Sequence, residues 1–267
     1  MIHIDTHAHV FSKHDQCIET ARYIPDYDAT AEQFLTHLDK HGHTHGVLVQ
    51  PSFFGTDNQV MLDAISQYPE RLKGIAVVDR GISFNELSQL KTKGIIGARI
   101  NLFGLPVPDF TLPEWTAFFS NLEQVNFQIE LHAPPAYLVQ VLPVLNNFKL
   151  DIVIDHFGRC VPDLGVKDPD YEKFLDLLDV SKHWIKVSGF YRLGAYPENI
   201  ATAKESYALL KNKGFLGKMV WGSDWPHTQH ENLVDYEKTV EAFQQIVPEA
   251  EEQELILGQN AAKLFHF

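Results

Sequence analysis

Short apolar, β-rich runs recur along the chain at spacings that leave room for one helix between each pair, and this rhythm restricts the fold more than any other feature. The runs fall near Ile2–Thr6, Gly46–Gln50, Gly74–Val78, Gly97–Leu102, Phe127–Leu131, Leu150–Ile154, Trp184–Ser188 and Lys218–Gly222. Helical patterns lie between them, among them Ala31–Lys40, Asp57–Gln67, Pro113–Val125, Tyr137–Leu145, Tyr171–Asp179 and Ala201–Leu210. Eight strands alternating with helices predict an α/β fold of the parallel (β/α)8 TIM-barrel type. An open doubly wound sheet is the alternative, but no G-x-G-x-x-G follows the first strand. No composition shift or Gly/Ser linker interrupts the sequence, so a single domain over residues 1–267 is expected. Two helical segments follow the last strand, Leu233–Ile246 and Ala250–Leu264, and the second is expected to close one end of the barrel.

The formal net charge of −13 disfavours nucleic acid and anionic membranes as partners and leaves a small molecule as the expected one. Any attraction for an anionic substrate must then come from arginines placed in the pocket. No apolar run is long enough to span a bilayer. The start, Met1-Ile2-His3, lacks the basic and apolar regions of a signal peptide, and Cys17 and Cys160 form no C-x-x-C pair. A cytoplasmic protein with reduced thiols is expected. The oligomeric state is not legible.

Active sites of such barrels sit at the carboxyl ends of the strands, and this sorts the fourteen histidines. His7 and His9, at i and i+2, share one face about 6.7 Å apart along the chain. Two imidazoles placed so can lean onto one ion or one carbonyl oxygen. His132, His156 and His227 also end or follow strands. His41, His43 and His45 precede the second strand and belong to the opposite face, where a helix end and a glycine turn account for them. Glu130 and His132 alternate with Ile129 and Leu131, so both should point into the barrel near its top. Asp224 follows the eighth strand. Alone it reads as a turn residue ahead of Pro226, but strand eight neighbours strand one in a closed barrel, and at about 4.8 Å per strand Asp224 and His7/His9 can share one water.

The set Asp5-Thr6-His7-Ala8-His9, Ile154-Asp155-His156-Phe157-Gly158-Arg159 and Trp221-Gly222-Ser223-Asp224-Trp225-Pro226-His227 resembles the amidohydrolase superfamily, in particular metal-dependent hydrolases of the amidohydrolase-2 type. Val47-Leu48-Val49-Gln50-Pro51-Ser52, Gly55-Thr56-Asp57-Asn58, Gly74-Ile75-Ala76-Val77-Val78-Asp79 and Arg99-Ile100-Asn101 are similar to its lactonase branch, which includes pyrone-dicarboxylate and sugar-lactone hydrolases. The resemblance implies lactone hydrolysis with Asp224 activating water, His7 and His9 polarising the carbonyl, and His156 orienting water or oxygen. It implies Ser52, Arg99, Arg159, Arg192, Tyr23, Glu130 and His227 as substrate-binding candidates. His7, His9, His132 and Asp224 form a donor set suited to Zn²⁺ or another divalent metal. No G-x-S-x-G or catalytic cysteine context competes. A zinc-dependent non-oxidative decarboxylase and a non-catalytic barrel binding a small acid are the alternatives. The dicarboxylate lactonases carry a further arginine where this chain has Leu102-Phe103-Gly104-Leu105, which implies apolar surface there and a less cationic pocket. Thr56-Asp57-Asn58 reads as a helix cap.

Overall fold

The computed structural model describes residues 2–267. Eight parallel strands pair in sequence order: β1 (Ile4–Ala8), β2 (His45–Val49), β3 (Leu72–Ala76), β4 (Ile95–Asn101), β5 (Gln128–His132), β6 (Ile152–Ile154), β7 (His183–Val187) and β8 (Met219–Trp221). Runs such as Val47-Leu48-Val49 and Ile152-Val153-Ile154 are buried on both faces, as strands covered by helices outside and side chains inside must be. The helices that cover them are α1 (Ala31–Lys40), α2 (Gln59–Gln67), α3 (Phe84–Thr92), α4 (Pro113–Gln124), α5 (Pro135–Leu145), α6 (Pro169–Leu177), α7 (Glu198–Asn212) and α8 (Tyr236–Ile246). The start of α3 is set by a capping box, in which the Ser83 hydroxyl accepts from the Glu86 N–H and the Glu86 carboxylate accepts from the Ser83 N–H.

Inside the barrel, Ile4, Val47, Val49, Ile75, Val153 and Val220 pack with Ala261, Leu264 and Phe265. The last three belong to the C-terminal segment, which runs as α9 (Ala250–Glu254), a π-helical turn over Leu255–Asn260 and α10 (Ala261–Phe265). This segment plugs one end of the barrel, as the sequence suggested. His41 ends α1, and Gly42, with φ of 74°, turns the chain toward β2. The three early histidines therefore lie at the end remote from the site.

The seam between β1 and β8 decides where the chemistry sits. The strands do not form a continuous ladder; a parallel bridge joins Ala8 to Trp225. The Asp224 N–H donates to the His7 carbonyl at 2.8 Å, the His9 N–H to the Trp225 carbonyl at 2.8 Å, and the Thr6 hydroxyl to the Trp221 carbonyl at 2.7 Å. Gly222 makes this approach possible, because a Cβ there would meet the His7 Cβ at 2.5 Å. The backbone bonds that close the barrel thus press Asp224 against the histidine pair.

Candidate active site

A cavity of about 380 Å³ opens over this seam, lined by His9, His132, His156, Asp224 and a ring of arginines. Asp224 is 1% exposed and uses its two oxygens differently. Oδ2 accepts from the Tyr191 hydroxyl at 2.6 Å and from Arg192 Nε at 2.7 Å. Oδ1 lies 3.6 Å from His7 Nε2 and 3.4 Å from His9 Nε2. Burial alone would raise this carboxyl, but the Arg192 charge overrides it and holds it well below the ordinary carboxylate range. Asp224 is therefore an anion at neutral pH with one oxygen facing two imidazoles.

The imidazoles of His7, His132 and His156 are neutral. Burial pushes His7 and His132 well below the usual histidine value and takes His156 to about 3. Their partners assign the ring protons. His9 Nδ1 donates to the Val49 carbonyl at 2.7 Å, which leaves the lone pair on Nε2. His7 Nδ1 lies 3.1 Å from Lys186 Nζ. An ammonium has donors only, so Nδ1 is the acceptor and the His7 proton sits on Nε2.

Lys186 is the penultimate residue of β7 and is wholly buried. Its ammonium donates to Glu130 Oε2 at 2.7 Å and stands 3.7 Å from Asp155 Oδ1, while Asp155 Oδ2 accepts from Arg99 Nε at 3.0 Å and Nη2 at 2.9 Å. Burial still lifts the Glu130 carboxyl to about 7, although Lys186 draws it down. Two carboxylates and two cations thus form a buried layer at the cavity floor.

Ligand atoms of His7, His9 and Asp224 lie within 4.8 Å of one another, as do those of His7, Asp155 and His156. Two imidazole nitrogens and a carboxylate oxygen fit a divalent ion, and His7 Nε2 has no hydrogen-bond partner in the fold. Ion binding there requires His7 to move its proton to Nδ1, toward Asp155 Oδ1 at 3.5 Å, and to give up the contact from Lys186. His132 joins neither group. Its ring lies flat against Phe103, centroids 5.5 Å apart, and edge-on to His156.

Residues 4–267 match the family model Amidohydro_2, described as amidohydrolase. The chain belongs to the amidohydrolase family. It is 29% identical over 98% of its length to the 4-sulfomuconolactone hydrolase of Rhizobium radiobacter, covering 89% of that protein. It is 27% identical, with 98% and 89% of the two chains covered, to the 2-pyrone-4,6-dicarboxylate hydrolase of Comamonas testosteroni. A crystal structure from Acinetobacter baumannii, described as a "probable 2-pyrone-4,6-dicarboxylic acid hydrolase" with citric acid bound, is 62% identical with a TM-score of 0.99 and full coverage of both chains. The 5-carboxyvanillate decarboxylase of Sphingomonas paucimobilis, at 16% identity, 100% and 99% coverage and a TM-score of 0.67, shares the fold alone.

In this amidohydrolase, Ser52, Arg99, Arg159 and Arg192 line the cavity, as their strand-end positions suggested, and Tyr23 joins them from the long loop after β1. Glu130 and His227 do not. Glu130 is sealed under the floor by Lys186, and His227 turns away with φ of 68° to set its ring edge against Tyr191. At Leu102–Leu105 the expected apolar surface is present, with Phe103 and Leu105 exposed, but two cations join it. Phe103 presents its ring to Arg159, whose guanidinium carbon stands 4.3 Å from the centroid, and its carbonyl accepts from Arg22 Nη1 at 2.6 Å. The pocket is cationic there.

Three residues at the site escaped sequence reasoning: Lys186, Tyr191 and Arg22. A lysine inside the apolar run Trp184-Ile185-Lys186-Val187 was the one visible signal. Six non-glycine residues in or beside the site, His156, Phe157, Arg159, Asp224, His227 and Gln229, hold positive φ between 52° and 68°. Among the described residues no helix is long and apolar enough to cross a membrane.

Proposed function

We propose that this amidohydrolase opens a small anionic lactone by direct attack of water, with Asp224 as the base. The observation that carries the reading is the division of labour on Asp224, whose Oδ2 is fully occupied while Oδ1 faces His7 and His9 at the cavity floor. A water held between Asp224 Oδ1 and the lone pair of His9 Nε2 gives one proton to the carboxylate as its oxygen bonds to the lactone carbonyl carbon. The His7 Nε2–H donates to the carbonyl oxygen as negative charge develops on it. Collapse breaks the ring C–O bond, and the proton on Asp224 passes to the departing ring oxygen. The product is a ring-opened hydroxy or enol acid. A divalent ion held by His7, His9 and Asp224 would add Lewis-acid polarisation of the carbonyl.

The named relatives that align along almost the whole chain act on lactones bearing sulfonate or carboxylate groups, and the arginine-lined cavity suits an anion of that size. The decarboxylase that aligns along the whole chain does so at only 16% identity and shares the fold alone, and simple binding would not need a buried carboxylate held ionised beside two imidazoles. The buried Cys160 and partly buried Cys17 carry free thiols, which suits a reducing cytoplasm.

The test is Asp224→Asn with a panel of carboxylated, sulfonated and sugar lactones. Loss of the base lowers kcat by about 10²–10⁴, while a product analogue still binds. Turnover within a few-fold of the parent would refute the mechanism.

A further inference from the structure

Four arginines border the cavity, and they are not equivalent. Arg99 is neutralised by Asp155 and Arg192 by Asp224, each at hydrogen-bond distance. Arg22 and Arg159 have no carboxylate partner among the described residues. Arg159 donates through Nη1 to the Arg192 carbonyl, and its Nε has no partner. Burial and the nearby Arg192 charge lower it to about 10. In a chain with a net charge of −13, two unpaired guanidiniums at one cavity are a local positive focus.

Phe103 arranges both. Its ring underlies Arg159 and its carbonyl anchors Arg22, which arrives from the loop between β1 and α1. That loop is pinned on either side of Arg22, by Ile18 N–H to the Phe53 carbonyl at 2.9 Å and by the Tyr23 hydroxyl to Glu231 at 2.6 Å. Gly104 clears the seat, since a Cβ there would stand 2.4 Å from Arg22 Nη1. With Nη1 engaged, Nε and Nη2 of Arg22 carry no bond among the described residues. We infer that Arg22 is a specificity-determining residue, which with Arg159 binds the second anionic group of a doubly charged lactone. The inference rests on the lactonase reading for its substrate, but the binding site itself does not depend on turnover.

The test uses citrate as a polycarboxylate probe in calorimetry, alongside kinetics on a dicarboxylated and a monocarboxylated pyrone. One charge-assisted contact corresponds to roughly 10- to 100-fold in affinity. Arg22→Met should weaken citrate by that factor at low salt and raise KM for the dicarboxylate similarly, with kcat changed less than threefold and the monocarboxylate barely affected. Arg22→Lys should restore part of the loss. Gly104→Ala, which keeps the charge but blocks its seat, should weaken citrate too, and adding it to Arg22→Met should cost nothing further. The difference should shrink in 0.5 M NaCl as screening shortens the reach of the charge. Unchanged citrate affinity in Arg22→Met, or equal KM increases for both pyrones, would overturn the inference. Arg22-dependent citrate binding in a protein that hydrolyses no lactone would refute the proposed reaction and leave the anion site standing.

Discussion

Lys186→Met separates the structural and chemical roles of the buried layer under the site. The ammonium is wholly buried, 2.7 Å from Glu130, 3.1 Å from His7 Nδ1 and 3.7 Å from Asp155. Removing one partner of a buried pair typically costs about 3–5 kcal/mol, because the other charge is stranded. Asp155 keeps Arg99, so the stranded group is Glu130, whose remaining contact is Gln128 Nε2 at 3.2 Å. That carboxyl already titrates near 7 with the lysine present, so without it Glu130 takes up a proton at neutral pH. This relief puts the loss at the lower end, about 3 kcal/mol, or a fall in Tm of roughly 6–12 °C for a chain of this size. Lys186→Met/Glu130→Gln removes both charges and should recover stability to within about 1 kcal/mol of the parent, since paired removal of a buried ion pair is often neutral. Catalysis should not recover. Without the lysine, nothing holds the His7 proton on Nε2, and losing one donor to a developing oxyanion costs about 10²–10³ in kcat. Urea unfolding and steady-state kinetics on the same preparations read the two effects apart. A double variant no more stable than the single one would refute the pairing argument, and a stable double variant with parental kcat would refute the role given to His7.

The acid limb of stability should carry the mark of His43, which burial lowers to about 3 and which faces Tyr236 at 3.1 Å. A histidine depressed in the fold binds its proton in the unfolded chain first, so its contribution is present above about 6.5 and lost as pH falls. His43→Gln should therefore gain about 2 kcal/mol relative to the parent between pH 7 and pH 5, measured by urea unfolding, and a constant difference would contradict the assignment. Metal uptake should follow the geometry of the histidine pair. Zinc titrated into chelator-treated protein should bind the parent and His132→Ala alike and be lost in His9→Ala; loss in His132→Ala would mean that His132 swings into the coordination shell.

The fold was readable because its signal is repetitive. Eight apolar runs each announced a strand buried on both faces, and errors of one or two residues, such as β1 ending at Ala8 and not Thr6, did not disturb the order. The small capped helix α3 was less visible, since Leu87 alone among its residues is fully buried. At the site, residues at strand ends were legible because a barrel collects them: His7, His9, His156, Arg99, Arg159 and Asp224. What sequence could not convey was how these residues share partners. Glu130 sits at the right height in its strand but is consumed by Lys186, and Arg22 lies in a loop whose path depends on packing of Phe53 and Tyr23. The Leu102–Leu105 segment looked apolar by composition, yet its carbonyl and one aromatic face recruit two cations.

The six left-handed residues around the pocket set terms for anyone who would evolve this enzyme. Each such non-glycine backbone costs on the order of 1–2 kcal/mol, so together they hold an amount comparable to the whole stability margin of an ordinary domain. A selection for heat resistance alone would be rewarded for replacing Arg159 or His227 by glycine or asparagine. The survivors would be sturdier barrels with a weakened grip on their substrate. A library screened for robustness must therefore be screened for turnover in the same round, because at this rim the two pull in opposite directions.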